Sequence, residues 1–589
     1  LEGFVTEINP NINYDKTKIK DILDIVDDTP VLNKEMLLLG KDMSNKLLCS
    51  LVSAYQVMLP KALKAEVNTN IKIKYNKYLK RLKSIEEIDN YIKDCKYESQ
   101  INILCKLKEG DILITKMTSS INTIIKYGFA KIVMEEEKRY NYTGSHNYKK
   151  VELTEKQEEV ASRVINSFGT SKTFLLYGVT GSGKTEVYMN IIEKAISNGK
   201  TAIMLVPEIS LTPQIVGKFI SRFGNIISVL HSRLSDTERY DEYRKITEGK
   251  SKIVIGTRSA IFVPFNNIGV IIIDEEHTSS YKQENHPRYN AKNIAIWRSN
   301  YHKCPVLLGS ATPSLESMAR AGNKVYELLT LTTRVGTSTL PKVQIVDMKE
   351  EVKKGNFILS SILKEKIKEK LLKKEQVILL LNRRGYSSVI TCRDCGYTLK
   401  CPNCDITYTY HKSSNNLKCH YCGKSVPLNN KCPKCGGENV KDYGLGTEKL
   451  EEELHKLYDA KIIRMDVDTT SKKGQHEKII EDFGSHKYDI LIGTQMIAKG
   501  LDFPLVTLVG VVSADSSLMV PDFRAGENTF QLLSQVSGRA GRSTNPGEVI
   551  IQTYNKENYS IELSSRHDYI SFYKEEMQMR KMLKYSPYY

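Results

Sequence analysis

The sequence predicts an α/β protein with two parallel-sheet lobes. From Thr154 onward, short apolar runs of strand length alternate with helical patterns, the mark of a parallel sheet covered on both faces. The runs form two sets. Residues 173–177, 201–206, 252–256, 270–273 and 306–309 precede a linker around 332–342, and 376–381, 461–465, 489–493, 506–512 and 548–552 follow it. The second observation is an internal echo, because Ile253-Val254-Ile255-Gly256-Thr257 in the first set matches Ile490-Leu491-Ile492-Gly493-Thr494 in the second. The third is length: 589 residues exceed what one hydrophobic core organises, so about three to five domains are expected.

Composition narrows the class. With 40% hydrophobic and 26% charged residues the chain is globular. Lys and Arg number 86 against 69 Asp and Glu, a formal charge of +17, and Tyr reaches 33. That balance suits a surface that neutralises phosphates and stacks on bases, although solvated lysine faces give the same count. No apolar run approaches the roughly 18 residues that span a bilayer; the longest, such as 377–381, have strand length. The opening Leu1-Glu2-Gly3-Phe4 carries neither an initiator Met nor a basic segment before an apolar one, so no membrane and no secretory signal are expected. Of twelve cysteines, eight fall in Cys-x-x-Cys pairs between Cys392 and Cys435, while Cys49, Cys95, Cys105 and Cys304 are scattered. This distribution points to metal rather than disulfides, and to a reducing cytoplasm.

Ahead of the lobes, residues 1–65 mix strand-like and helical stretches broken by Pro10, Pro30 and Pro60, and hold no catalytic motif. Residues 66–145 are rich in Lys and Tyr. Apolar spacing at Ile85, Ile88 and Ile92, then at Ile101, Leu104 and Leu107, predicts two short helices before Asp111-Ile112-Leu113-Ile114, which fits a small winged-helix-like module. The expected division continues with lobe 1 at 146–335, lobe 2 at 336–386 and 444–560, a cysteine-rich insertion at 387–443, and the start of a further domain at 561–589.

Gly178-Val179-Thr180-Gly181-Ser182-Gly183-Lys184-Thr185 follows the 173–177 strand, opens a helix with apolar Val187, Ile191, Ile192 and Ala195, and fits the phosphate-binding loop pattern completely. Its glycines let backbone N–H groups and the helix N-terminus face phosphates; Lys184 reaches the terminal phosphates, and Thr185 ligates Mg2+. The alternative is a chance glycine-rich turn. The apolar strand Val270-Ile271-Ile272-Ile273 ends in Asp274-Glu275-Glu276-His277, which puts Asp274 at the sheet edge to hold magnesium and Glu275 beside it to orient or deprotonate water. Alone, such a strand end reads as a solvated turn; after a phosphate loop it makes an ATP-hydrolysing site.

In the second lobe, Gln535-Val536-Ser537-Gly538-Arg539-Ala540-Gly541-Arg542 supplies two candidate arginine fingers, Arg539 and Arg542, whose contact with the transferred phosphate would tie hydrolysis to cleft closure. A solvated basic helix end is the plainer reading. Segments after strands, namely Pro207-Glu208-Ile209-Ser210-Leu211-Thr212, Gly256-Thr257-Arg258-Ser259, Gly309-Ser310-Ala311-Thr312-Pro313-Ser314 and Gly493-Thr494-Gln495, offer hydroxyls and N–H groups to phosphates, so Thr257, Arg258 and Thr494 are candidate nucleic-acid contacts. Ordinary turn chemistry accounts for any one of them. Tyr281, Lys282, Arg288, Tyr289, Trp297 and Arg298 crowd into the stretch after the carboxylates, a mix suited to unstacked bases and phosphates. Trp297 is expected in the core with Ile294 and Ile296; Tyr281, Arg288 and Tyr289 flank Pro287 in polar surroundings and are expected to stay accessible and to report DNA occupancy to Glu275.

The eight thiolates Cys392, Cys395, Cys401, Cys404, Cys419, Cys422, Cys432 and Cys435 suffice for two four-coordinate structural Zn2+ ions. Fourteen residues separate Cys404 from Cys419, close to common zinc-ribbon spacing, which leaves the outer pairs to join around them. Sequential pairing is the alternative, with five residues between Cys395 and Cys401.

The ordered motifs resemble those of superfamily 2 helicases. In detail Asp274-Glu275-Glu276-His277, the run from Ser279 through Pro287-Arg288-Tyr289 to Trp297-Arg298, Asn382-Arg383-Arg384-Gly385-Tyr386 and the eight-cysteine insertion are similar to the bacterial PriA family of replication-restart helicases. Residues 31–64 resemble the end of that family's N-terminal DNA-binding domain, so 1–65 would be its remnant, and 561–589 stops where the family continues. The resemblance implies RecA-like lobes, ATP with Mg2+, and a 3′-to-5′ DNA helicase acting on branched and single-stranded DNA to help reload the replicative helicase. It also implies other primosome proteins and single-stranded-DNA-binding protein as partners, and places Gln157 near the adenine. Two other readings remain: a zinc-dependent DNA-binding scaffold, and an RNA helicase or duplex translocase of the same superfamily.

Overall fold

The computed structural model describes residues 3–5, 21, 22, 24, 30–63, 75–136, 150–208, 213–335, 341–381, 390–392, 394–411, 416–429, 431–438, 440–442, 446–466, 469, 470, 474–498, 503–540 and 547–588. Asn382 to Tyr386, Ile209 to Thr212 and Arg542 lie outside the described residues.

The smaller of two compact units is organised around β1 (Tyr75–Arg81), which pairs antiparallel with β2 (Ile112–Ile114) and β3 (Ala130–Glu136). Helices Ile85–Asp94, Glu98–Glu109 and Ser119–Lys126 bury Ile88, Leu104, Leu107, Ile121 and Ile124 with Leu79 and Phe129. The first two are the helices that the isoleucine and leucine spacing predicts. Ser84 and Glu87 form a reciprocal capping box that fixes where the first begins. These three helices thus pack with a three-stranded antiparallel sheet.

The larger unit holds both lobes. In lobe 1, β4 (Thr173–Gly178), β5 (Thr201–Leu205), β6 (Ile227–Leu230), β7 (Ile253–Gly256), β8 (Ile268–Ile273), β9 (Val306–Ser310) and β10 (Glu327–Leu331) form a parallel sheet in the order β10-β4-β9-β8-β5-β7-β6. Every residue of β5 beyond Thr201 and of β7, β8 and β9 is buried, which explains why these strands read as unbroken apolar runs. Lobe 2 begins with β11 (Lys342–Asp347) and β12 (Gln376–Leu380) and is then interrupted by the cysteine-rich insertion. There, β13 (Ile390–Cys392) pairs with β17 (Val440–Asp442), and β14 (Thr409–His411), β15 (Asn416–Lys418) and β16 (Ser425–Pro427) form a second small sheet. The lobe resumes with β18 (Ile462–Met465), β19 (Ile490–Gly493), β20 (Val506–Val511) and β21 (Glu548–Thr553), giving the parallel order β11-β21-β20-β12-β19-β18.

The internal echo has a steric cause. A Cβ on Gly256 would stand 2.5 Å from the Ala260 Cβ and 2.6 Å from the Leu230 carbonyl oxygen; one on Gly493 would stand 2.4 Å from Ile497 Cγ2 and 2.8 Å from the Met465 carbonyl oxygen. In both lobes the strand must end in glycine so that the following single-turn helix, Arg258–Phe262 or Gln495–Ala498, can fold back onto it.

The N-terminal helices Lys34–Leu47 and Leu51–Met58 belong to this larger unit and are tied to lobe 1 by a buried pair. Arg298 Nε and Nη2 donate to the two Glu35 carboxylate oxygens at 2.6 and 2.8 Å, and Nη1 donates to the Ile261 carbonyl at 2.7 Å. Arg298 is therefore no DNA contact: it is 0% exposed. Its hydrogen bonds, with that of His302, outweigh burial and hold the Glu35 carboxyl below the usual carboxylate range.

Candidate functional site

The phosphate loop connects β4 to helix Lys184–Ser197. Gly181 and Gly183 have φ of +82° and +78°, a region that side chains disfavour, and a Cβ at Gly183 would also collide with Gln157 Nε2 at 2.3 Å. Gln157 sits in the first turn of helix Glu155–Ile165, where Thr154 and Gln157 form a capping box; its Nε2 donates to the Ser182 carbonyl at 2.8 Å. One side chain thus fixes a helix start and the loop. Lys184 Nζ donates to the Gly178 and Val179 carbonyls at 2.5 and 3.4 Å, and Thr185 follows it in the first helical turn. Beside the loop lies a cavity of about 340 Å3 whose walls include Thr154, Gln157, Ser182, Thr333, Arg334 and Val335.

Asp274 and Glu275 leave the carboxyl end of β8. Asp274 is half-buried: Tyr188 OH donates to its Oδ1 at 3.0 Å, and Tyr281 OH to its backbone oxygen at 2.6 Å. Burial first, then the Glu275 charge, raises its pKa to about 6, against an opposing pull from Lys184. A Mg2+ ion held there would offset both effects. Glu275 adopts φ +47°, a strained conformation of the kind that persists at functional sites.

Lobe 2 closes on these groups. Gln535 Nε2 lies 3.4 Å from Glu275 Oε2 and 2.8 Å from His277 Nε2, while His277 Nδ1 meets Ser310 Oγ at 2.7 Å. Arg539, half-buried, follows Gly538, which packs on Thr180 of the phosphate loop. Glu276 is 0% exposed and accepts from Lys292 Nζ, the Ser314 backbone and the hydroxyls of Ser314 and Ser317 at 2.7 to 3.1 Å. These bonds outweigh burial and keep it ionised below the usual range. Gln535 and His277 stand inside recognised motifs, yet their contact joins positions 258 residues apart, and the partners of Glu276 lie 16 to 41 residues on.

The stretch after the carboxylates differs from expectation. Tyr281 and Tyr289 are each 1% exposed, not accessible. Tyr281 turns inward to bond Asp274; Tyr289 packs edge-on against Phe262 and under the Arg258 guanidinium, 5.6 Å from its ring centre. Arg258 donates to the Ser280 and Lys282 carbonyls and to Gln283 Oε1 at 3.0 to 3.3 Å, so in this structure it binds the loop itself. Trp297 is half-buried and stacked on Tyr301 rather than in the core. Arg288 remains exposed, as expected. Thr257 and Thr494 occupy matching positions, each opening the single-turn helix after its strand.

The cysteines form two nested clusters, Cys392, Cys395, Cys432 and Cys435, and Cys401, Cys404, Cys419 and Cys422, with ligand atoms within 4.8 Å of one another in each. Four sulfurs and no other donor fit a closed, structural Zn2+ site in both. Sequential pairing is thereby ruled out.

A family model described as DEAD/DEAH box helicase matches residues 154–321, and one for the helicase conserved C-terminal domain matches 439–544. Two more specific ones, the PriA DNA helicase Cys-rich region and the 3′DNA-binding domain, match 401–427 and 1–60. The chain is 46% identical to replication restart protein PriA of Bacillus subtilis, over 100% of this chain and 82% of that protein. It is 40% identical to the protein of the same name from Chlamydia muridarum, over 97% and 79%, and 42% identical to that of Synechocystis, over 87% and 64%. The chain belongs to the PriA family. The two four-cysteine clusters of this PriA family member fit two zinc ions, and its helicase domains imply ATP with Mg2+. The 3′DNA-binding domain match supports DNA binding. No helix among the described residues is long and apolar enough to cross a membrane.

Proposed function

We propose that this chain is an ATP-driven, superfamily 2 DNA helicase of replication restart, moving 3′ to 5′ on branched or single-stranded DNA and helping to reload the replicative helicase. The observation that carries the motor reading is the meeting of the lobes at the phosphate loop, Gly538 on Thr180 and Gln535 at Glu275. A nucleotide bound between Lys184 and this segment touches both lobes, so its hydrolysis changes their contact. In this reading the backbone of Gly178 to Gly183 cradles the phosphates, Lys184 clamps them, and Thr185 and Asp274 hold Mg2+. Glu275 orients the attacking water, Arg539 and Arg542 stabilise the transferred phosphate, and Gln157 recognises adenine. Thr257, Thr494 and the exposed Arg288 face the nucleic acid. The division into a DNA-binding region at 1–65, a winged-helix-like domain at 66–145, two lobes, a zinc insertion at 387–443 and a C-terminal segment at 561–589 is part of the same proposal. So are primosome proteins and single-stranded-DNA-binding protein as partners in a bacterial cytoplasm.

The test is ATP turnover with forked DNA, duplex DNA and RNA in turn, followed by strand displacement from partial duplexes with either overhang. Forked DNA is expected to stimulate most, and the strand that a 3′-to-5′ motor displaces to be released. Equal or greater stimulation by RNA overturns the DNA assignment, and release from the opposite substrate overturns the polarity.

A further inference from the structure

Arg580, in no recognised motif, is 1% exposed and one of the two bulkiest fully buried side chains among the described residues. It lies on helix Tyr569–Met582. Its Nε donates to Glu576 Oε1 at 3.0 Å, its Nη2 to Glu527 Oε2 at 2.6 Å and its Nη1 to the Ser586 carbonyl at 3.3 Å. A buried ion pair of this kind is poor at adding net stability, because desolvation cancels much of the attraction, but it holds geometry firmly.

That geometry runs in two directions. Towards lobe 1, Glu527 Oε1 accepts from the backbone N–H of Leu315 at 3.1 Å. Leu315 opens helix Leu315–Gly322, its N-cap is Ser314, and the Ser314 N–H donates to Glu276 at 2.7 Å, one residue after Glu275. Towards the zinc module, the Arg580 guanidinium lies 5.1 Å from the centre of the Phe523 ring, which stacks on Tyr585 at 4.6 Å and 12°. The Tyr585 hydroxyl then donates to the Cys404 carbonyl at 2.8 Å, and its ring meets Tyr421, which lies between Cys419 and Cys422, edge-on at 6.5 Å. A chain of bonded or stacked groups therefore runs from the inner zinc cluster to the carboxylate strand end.

We infer that Arg580 is a positioning residue through which the inner zinc cluster sets the closed arrangement of the ATP cleft, by presenting Glu527 to the N-terminus of helix Leu315–Gly322. This rests on the nucleotide-cleft reading above. The Glu527–Leu315 bond is one of the contacts between the lobes, and Arg580 holds the other oxygen of the carboxylate that makes it. The zinc module, held by Tyr585, fixes Arg580 through Phe523.

The test uses the whole chain with Y585F, which deletes only the hydroxyl at Cys404, R580K, which keeps the charge but loses the fork and the stacked plane, and the double variant. Zinc content, melting, hydrogen exchange at 311–318, and kcat and KM for ATP on forked DNA are measured. Both single variants are expected to keep two zincs, to exchange faster at 311–318, and to lose about threefold or more in kcat with KM within about twofold. The double variant is expected to be no slower than the worse single, as for groups in one relay. Unchanged exchange and kcat in Y585F, or losses that multiply in the double variant, overturn the inference. K184A run alongside separates the readings: undiminished turnover there sinks the nucleotide cleft itself, whereas its loss leaves the relay to be judged on the other variants.

Discussion

Gly538 of lobe 2 meets Thr180 of the phosphate loop with no room between them: a Cβ on Gly538 would stand 3.1 Å from Thr180 Cγ2 and 3.3 Å from its Oγ1. Gly538 has φ −67°, which any residue adopts, so a substitution there acts through the cleft and not through backbone strain. Gly538→Val is expected to wedge the lobes apart, at an overpacking cost of about 1–3 kcal/mol in the closed state, and to lower DNA-stimulated turnover by about fivefold to a hundredfold on the scale of that cost. Gly538→Ala should fall between. Steady-state ATPase assays with melting as control decide it, and a Val variant turning over at the wild-type rate would show that the contact is incidental.

Lys184→Ala and Glu275→Gln remove the charge clamp and the water positioner without touching the sheet beneath. Turnover should fall by roughly a hundredfold or more in each, while affinity for DNA largely persists. Filter binding and ATPase on the same preparations test this. Turnover within about threefold of wild type, a difference under 1 kcal/mol, contradicts the role of that residue.

The nested clusters predict two zincs per chain by metal analysis. Replacing Cys401 and Cys404 with Ser dismantles the inner cluster alone, so about one zinc should remain. Unwinding should suffer most, and ATP turnover should fall at least as far as in Y585F, because the inner cluster carries the Cys404 carbonyl that holds Tyr585. Equal loss of both would mean that the inner cluster supports the general fold instead.

What the sequence revealed and what it hid follow from range. The phosphate loop and Asp274-Glu275 were legible because each is a short contiguous motif on a strand buried on both faces, and such strands read as apolar runs. The lobe strands missed were β6, only four residues with Ser228 inside it, and the half-exposed β10 and β11, which carry no unbroken apolar stretch. Tyr281 and Tyr289 misled for the opposite reason: their neighbours in sequence are polar, and their burial comes from Asp274, Phe262 and Arg258. The partner that buries Arg298 is Glu35, 263 residues earlier, and no local pattern announces it. Cysteine pairing was readable because ligand spacing is itself local.

Arg288 is an exposed cation of the stretch after the carboxylates, beside a buried Tyr289 that replacement would unpack. Arg288→Ala alone is therefore the cleaner variant for coupling. Turnover without DNA should stay near normal, with stimulation by single-stranded DNA reduced severalfold, on the order of the 1 kcal/mol that a charged contact contributes. A titration of ATPase rate against single-stranded DNA reads this directly. Undiminished stimulation would remove Arg288 from the DNA path.

His567 supplies a pH dependence whose sign can be worked out. Burial first, and then the positive charge of Arg334, which lies against Gly181 of the phosphate loop, depress its pKa to about 4. Its Nε2 is buried without a hydrogen-bond partner among the described residues, so nothing holds a proton there. With the folded pKa below the unfolded value, near 6.5, the folded state binds fewer protons, and the stability tied to the neutral ring is present above pH 6.5. It is lost as pH falls towards 4, amounting to roughly 2 kcal/mol by pH 5. His567 has φ +55°, and Asn tolerates that conformation better than most residues, so His567→Asn removes the titration with little backbone cost. Melting from pH 7.5 to 5 should show the wild-type chain losing more stability than the Asn variant across that window. Parallel curves would mean that the ring gains a proton partner in solution, and would place the acid sensitivity of the larger unit elsewhere.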